Sequence, residues 1–301
     1  MVERLNFEDE ISSNKIKSVL LMGFIILVFI LLGYIISAFT DPSLFFIIMI
    51  FSIIISLLYL WAGYYYSAQL ALSSVRAQPA SPTKHRQLLH AVENMSLASG
   101  LPMPKVYVMQ SEQINAFASG RDPEHAVICV TTDALDKLNK QELEGVIAHE
   151  MAHIANYDIR FMTLTTILVG MVSIAAEIFL RSLWFSGNDR EGGKGNTILL
   201  VIGLILAILA PIAVQLVQLA ISRKREFTAD ATGVKFTRYP LGLANALKKI
   251  RDDHDAITSK DQHHYAKALA PLFIGNPYKK VSSFFSTHPD VNERIRILES
   301  M

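Results

Sequence analysis

The stretch VIAHEMAHIANYDIR, residues 146–160, sets His149 and His153 four positions apart, with Glu150 directly after the first. On a helix, positions i and i+4 share a face one turn apart. Two imidazoles at that spacing can present ring nitrogens to one ion. Glu150 is turned about 100° from His149 by helix geometry, so it can reach a water at the ion without ligating it. This is the H-E-x-x-H arrangement, which suits zinc with the glutamate as general base.

A catalytic zinc site also needs a third protein ligand and an open position. Later in the chain, SRKREFTAD carries Glu226 and Asp230, again i and i+4. Glu226 can supply the third ligand. Asp230 can accept a hydrogen bond from the far nitrogen of a ligand histidine and so fix its tautomer and orientation. Asp158 lies five residues after His153, does not share its face on a continuous helix, and receives no role. His85, His90, His125, His254, His263 and His264 fit no ligand spacing with the pair and read as surface residues.

What positions these groups? Hydrophobic residues make up 51% of the 301 and charged residues only 18%, too oily for an ordinary soluble enzyme. Four stretches reach the roughly 20 apolar residues that a bilayer crossing takes: Val19 to Phe39, Leu44 to Tyr64, Phe161 to Leu180, and Ile198 to Ile221, the last with a kink expected at Pro211. The first two are joined by TDPS as a tight hairpin. The first is longer than a signal-peptide core and a second span follows at once, so it reads as an uncleaved anchor. Glu177 in the third is tolerable near the interface, four residues from Arg181. Lysines and arginines near the span ends put both termini, and the polar regions 66–158 and 222–301, in the cytoplasm. A net charge of +1 gives no sign of a nucleic-acid partner. The single cysteine, Cys129, excludes an intrachain disulfide and reads as a buried thiol.

The expected division is therefore 1–66 as an N-terminal transmembrane hairpin, 67–158 as the first part of a polar cytoplasmic domain, 159–221 as a second hairpin, and 222–301 as the second part of that domain. Within it, Lys84 to Ser99 predicts a helix ended by Gly100, and KVYVM, NAFA and AVICVT predict short strands. Thr132 or Asp133 should cap a helix through Leu138. A further helix from Gln141 should run through His149 and His153 into the third apolar stretch. That would hold the metal roughly 15 Å above the bilayer, from about ten residues at 1.5 Å each.

HEMAH, two apolar spans, EFTAD and then THPDVNERI, together with GLPMPKVYVM at 100–109 and INAFASG at 114–120, resemble the HtpX-type membrane-bound zinc metalloproteases, relatives of the CAAX prenyl proteases. The resemblance implies an α+β fold: a mainly helical, gluzincin-like zinc protease domain with a small β-sheet, fused to about four transmembrane helices. It assigns His149, His153 and Glu226 to one Zn2+ per chain and Glu150 to catalysis. It favours His288 as a second electrophile for the oxyanion, with Arg294 nearby on the substrate side. INAFASG resembles a substrate-binding edge strand, with Asn115 bonding the peptide backbone and Ala116 leaving room for its approach. The implied activity is peptide-bond hydrolysis in misfolded or damaged membrane proteins at the cytoplasmic face of the inner membrane. The competing reading is a membrane scaffold or binding module whose zinc is purely structural, which would call for four protein ligands.

Overall fold

Two apolar helices open the chain, α1 (Phe7–Ala38) and α2 (Phe45–Ser74), joined across the short 3-10 turn Pro42–Leu44. The structure is a computed structural model that describes residues 7–38, 42–185, 223–256, 272–275 and 290–301, with Gly203 and Ile212. Segments Ile11–Leu31 and Pro42–Ser74 have mean hydropathies of 2.0 and 2.7 and are long enough to cross a bilayer. Large apolar side chains such as Leu20 and Phe46 are exposed. Among the described residues two helices of this kind are found, where four were expected. The third expected span falls on α6 (Asp158–Phe185), whose first half is interior: Phe161, Leu164 and Leu168 are buried in one cluster with Ile25 of α1 and Leu72 of α2. The fourth expected span lies outside the described residues, apart from Gly203 and Ile212.

A four-stranded mixed sheet follows, from β1 (Gln78–Pro79), β2 (Lys105–Met109), β3 (Ala116–Ser119) and β4 (Val127–Thr131), in the order β1-β2-β4-β3. β4 runs parallel to β2, with Lys105 opposite Val127, and antiparallel to β3, with Ala116 opposite Val130. Successive strand residues face opposite sides. Ile128 and Val130 therefore enter a core with α3 (Arg86–Ser99) and α5 (Lys140–Ala155), while Val127 and Cys129 enter the cluster beneath the apolar hairpin. Burial on both faces explains the unbroken apolar run of β4. α3 ends where expected, at Gly100, whose φ of 71° supplies the left-handed cap. α4 (Thr132–Lys137) is capped one residue earlier than expected, by the Thr131 hydroxyl, which accepts from the Ala134 N–H at 3.2 Å.

The central helix is α5. A capping box starts it: Asn139 Oδ1 accepts from the Glu142 N–H at 3.0 Å, and Glu142 returns the bond to the Asn139 N–H at 2.8 Å. On it pack α7 (Arg223–Thr237) and α8 (Pro240–Ala256), and α9 (Val291–Glu299) packs in turn on α8 and α7. Close approach needs small residues. A Cβ on Gly145 would lie 2.6 Å from the backbone nitrogen of Leu243 in α8, and one on Gly233 of α7 would lie 3.1 Å from the backbone nitrogen of His149.

The expected continuous helix from Gln141 into the third apolar stretch is corrected. α5 stops at Ala155, Tyr157 turns with φ 59°, and the chain restarts as α6 at Asp158. The Asn156 carbonyl, which a continuous helix would aim at the N–H four residues on, accepts instead from the side chain of Asn14, at 3.0 Å. A height above the bilayer measured along one straight helix therefore does not apply.

Candidate metal centre

α5 and α7 bring together residues that lie more than seventy positions apart. Ligand atoms of His149, His153 and Glu226 all lie within 4.8 Å of one another, and all three side chains are buried. The two imidazole Nε2 atoms face each other at 3.1 Å. Glu226 sits across from them, Oε2 at 3.6 Å from His149 and Oε1 at 3.7 Å from His153.

Each far nitrogen is held by its own carboxylate. His149 Nδ1 lies 2.9 Å from Asp230 Oδ1, and His153 Nδ1 lies 2.9 Å from Asp158 Oδ2. An Nδ1–H donated to a carboxylate leaves the Nε2 lone pair free on the opposite edge of the ring. Two such lone pairs 3.1 Å apart repel unless a cation or a proton lies between them. The donor set therefore fits a divalent metal, with nitrogen and carboxylate ligands of the kind zinc takes. Without metal, a proton on His153 would meet the same need. Burial opposes charge on His153, but the bond to Asp158 and the nearby carboxylates of Glu226 and Glu150 prevail and lift its pKa to about 9. Burial instead holds His149 below its ordinary value, aided by the charges of Arg294 and His153.

Glu150 lies beside the three ligands and outside their set. Burial raises its pKa to about 7, against the opposing pull of His153 and a bond from the backbone N–H of Ala118 in β3. A carboxyl poised there can take or give a proton near neutral pH.

Arg294 of α9 is fully buried behind the ligands. Its fork grips Asp230 at 2.8 Å and 2.7 Å, and Nη1 lies 3.0 Å from Glu226 Oε2. Burial pushes the Asp230 carboxyl up, but Arg294 and His149 outweigh it and hold it well below the usual range. The sequence reading set Arg294 toward substrate. In the structure its guanidinium is fully buried against Asp230 and Glu226, on α9, which packs on α7 and α8.

A family model described as peptidase family M48 matches residues 82–301, which takes in every residue of this centre. The chain belongs to peptidase family M48. A protein from Caldanaerobacter subterraneus named "Protease HtpX homolog" is 48% identical over 257 residues, which cover 84% of each chain. Another so named, from Tropheryma whipplei, is 40% identical over 97% of each. The crystal structure of S. mikatae Ste24p is similar in fold, with a TM-score of 0.52 at 19% identity, over 97% of this chain and 67% of that one. As an M48 member the chain acts on peptide or protein substrates.

Three M48-type expectations concern the substrate side. His288 lies outside the described residues. Asn115 and Ala116 stand at the outer edge of β3, and that edge is occupied: Asn115 Nδ2 donates to the Gly275 carbonyl at 2.8 Å, its Oδ1 accepts from the Gly275 N–H at 3.1 Å, and the Ala116 carbonyl accepts from the Ile274 N–H at 3.0 Å. Phe117 and Phe273 pair antiparallel as an isolated bridge. The groups assigned to a peptide backbone thus bind backbone already, that of the short segment 272–275, in which Phe273 alone makes a bridge pair.

Sequence reasoning missed Asp158. A five-residue spacing excludes contact on a straight helix, but the turn at Tyr157 folds Asp158 back under His153. Only the N-Y pair after Ala155 hinted at a helix end. Asn14 and Arg225, which both reach Asp158, carried no local signal at all.

Proposed function

We propose that this chain is a zinc-dependent endopeptidase anchored in a bilayer by α1 and α2. Its peptidase domain faces the cytoplasm, and its substrates are exposed segments of misfolded or damaged membrane proteins. One observation carries the reading: His149, His153 and Glu226 converge, both histidines are turned by carboxylates, and Glu150 lies alongside without joining the set. Three ligands leave a coordination place open, as catalysis needs, whereas a structural site is closed by four. When bound, zinc would lower the pKa of water to about 7 and polarise the scissile carbonyl.

The chain's own residues do the rest. Glu150 takes the proton of the attacking water and passes it to the leaving amine. Asp230 and Asp158 hold the two histidines in the ligating tautomer. An incoming peptide pairs with the Ala116 carbonyl and the Asn115 amide once residues 272–275 leave them, and reads little sequence because the contacts are to backbone. His288 is assigned to the developing oxyanion. In this reading residues 1–66 anchor the chain, 67–158 and 222–301 build the peptidase domain, and 159–221 form a second apolar hairpin between its halves.

The test is Glu150→Gln in the full detergent-solubilised protein. Zinc content stays at the wild-type level, while hydrolysis of an unfolded model protein falls by about 10²–10⁴, the usual range for a lost general base. Wild-type turnover in a variant that holds its zinc would remove Glu150 from this role.

A further inference from the structure

One residue outside the M48-matched segment reaches the partner of a candidate metal ligand, and it belongs to α1. Asn14 is only 2% exposed, at the start of the first apolar segment. Its Nδ2 donates to Asp158 Oδ1 at 2.7 Å and to the Asn156 carbonyl at 3.0 Å. Asp158 Oδ2 then meets His153 Nδ1 at 2.9 Å. The orientation of the Asn14 amide is decided by these two acceptors, since a flipped amide would set its oxygen against a carboxylate and a carbonyl.

A polar side chain buried in an apolar helix is costly unless it is hydrogen-bonded. α1 shows what this one is bonded to: the turn that carries Asp158. The neighbouring residue grips the same turn, with Lys15 Nζ standing 4.4 Å over the ring of Tyr157. Arg225 Nε reaches the same Asp158 oxygen at 3.3 Å. Two donors on Oδ1 leave Oδ2 for the imidazole. The orientation of a metal-ligating histidine is set by the group on its other nitrogen, and losing such a partner costs metal affinity.

We infer that Asn14 is a positioning residue of the metal centre, acting through Asp158 on His153, so that the packing of the first apolar helix sets the geometry of the ligand set. The inference rests on the reading of His149, His153 and Glu226 as the zinc site. That reading is checked separately, by loss of zinc in His149→Ala.

The experiment is a double-mutant cycle on zinc affinity, with the full-length protein in detergent and a competing chromophoric chelator. Asn14→Leu removes the donor while keeping side-chain bulk. It should weaken zinc binding by roughly tenfold, the lower end for an outer hydrogen-bond partner, and lower kcat with KM unchanged. In an Asp158→Asn background the same substitution should cost nothing further, because its route to His153 is already cut. Replacing zinc by cobalt should show the change as a shifted visible spectrum. Asn14→Ala serves as the second variant should leucine disturb packing. Affinity within twofold of wild type in both variants overturns the inference. So does an equal loss in the Asp158→Asn background, which would mean that α1 merely supports the fold.

Discussion

Arg294 neutralises two buried carboxylates at once, Asp230 and Glu226, and all its donor contacts point into the protein. Truncating one partner of such a pair strands the other in low dielectric. Arg294→Met should therefore destabilise the metal-free protein by about 3–5 kcal/mol, read from denaturant unfolding in detergent. Arg294→Lys should recover little, since an ammonium cannot match the two-pronged grip. His153 gives a pH prediction. Its pKa without metal is raised to about 9, so below that pH zinc must displace a proton. Zinc affinity should climb with pH through the neutral range and flatten above about 9. A chelator titration that stays level from pH 6 to 9 would show that His153 is already neutral. Of these residues, Asp230 was legible in the sequence because it shares a helical face with Glu226. Asp158 and Arg294 were not, because their roles depend on a turn and on a helix docked from elsewhere.

At the scale of elements, α5 works because its neighbours come close. The Cβ of a Gly145→Ala variant would sit 2.6 Å from a backbone nitrogen of α8, so one helix must shift. Overpacking of this kind costs about 1–3 kcal/mol, and a lowered unfolding midpoint should register it. β3 offers a second test. Its outer edge holds residues 272–275 through the Ile274 N–H and the Gly275 backbone. Ile274→Pro deletes the first of these donors. The expected result is a lower KM for an unfolded protein substrate, as the edge becomes easier to enter. An unchanged KM would mean that the segment and substrate do not compete. The strands and the helix of the ligands could be read in the sequence from alternation and from the i, i+4 pair. The end of α5 could not, because a left-handed tyrosine leaves no composition signal, and the apolar run beyond it reads the same whether or not the helix breaks.

Across the whole molecule, the sheet is the wall between two cores, one under the peptidase helices and one under the apolar hairpin. Cys129 of β4 lies in the second, with no exposure, and burial pushes its thiol above the ordinary range. Since the thiolate is the reactive form, iodoacetamide at neutral pH should leave Cys129 unlabelled in the native protein and label it fully in denaturant. Native labelling at the rate of a free thiol, followed by mass, would show that the wall opens. The sequence by itself determined what is local: two imidazoles on one face of α5 with a carboxylate directly after the first, a carboxylate pair on α7, apolar runs long enough for α1 and α2, and a buried strand around Cys129. Each depends on periodicity within a few turns of one element. The tertiary structure alone decided which groups hold the ligands in place. Arg294 reaches Asp230 across 64 residues and Asn14 reaches Asp158 across 144. No short-range pattern encodes contacts at such separations, because they exist only after separate elements have packed.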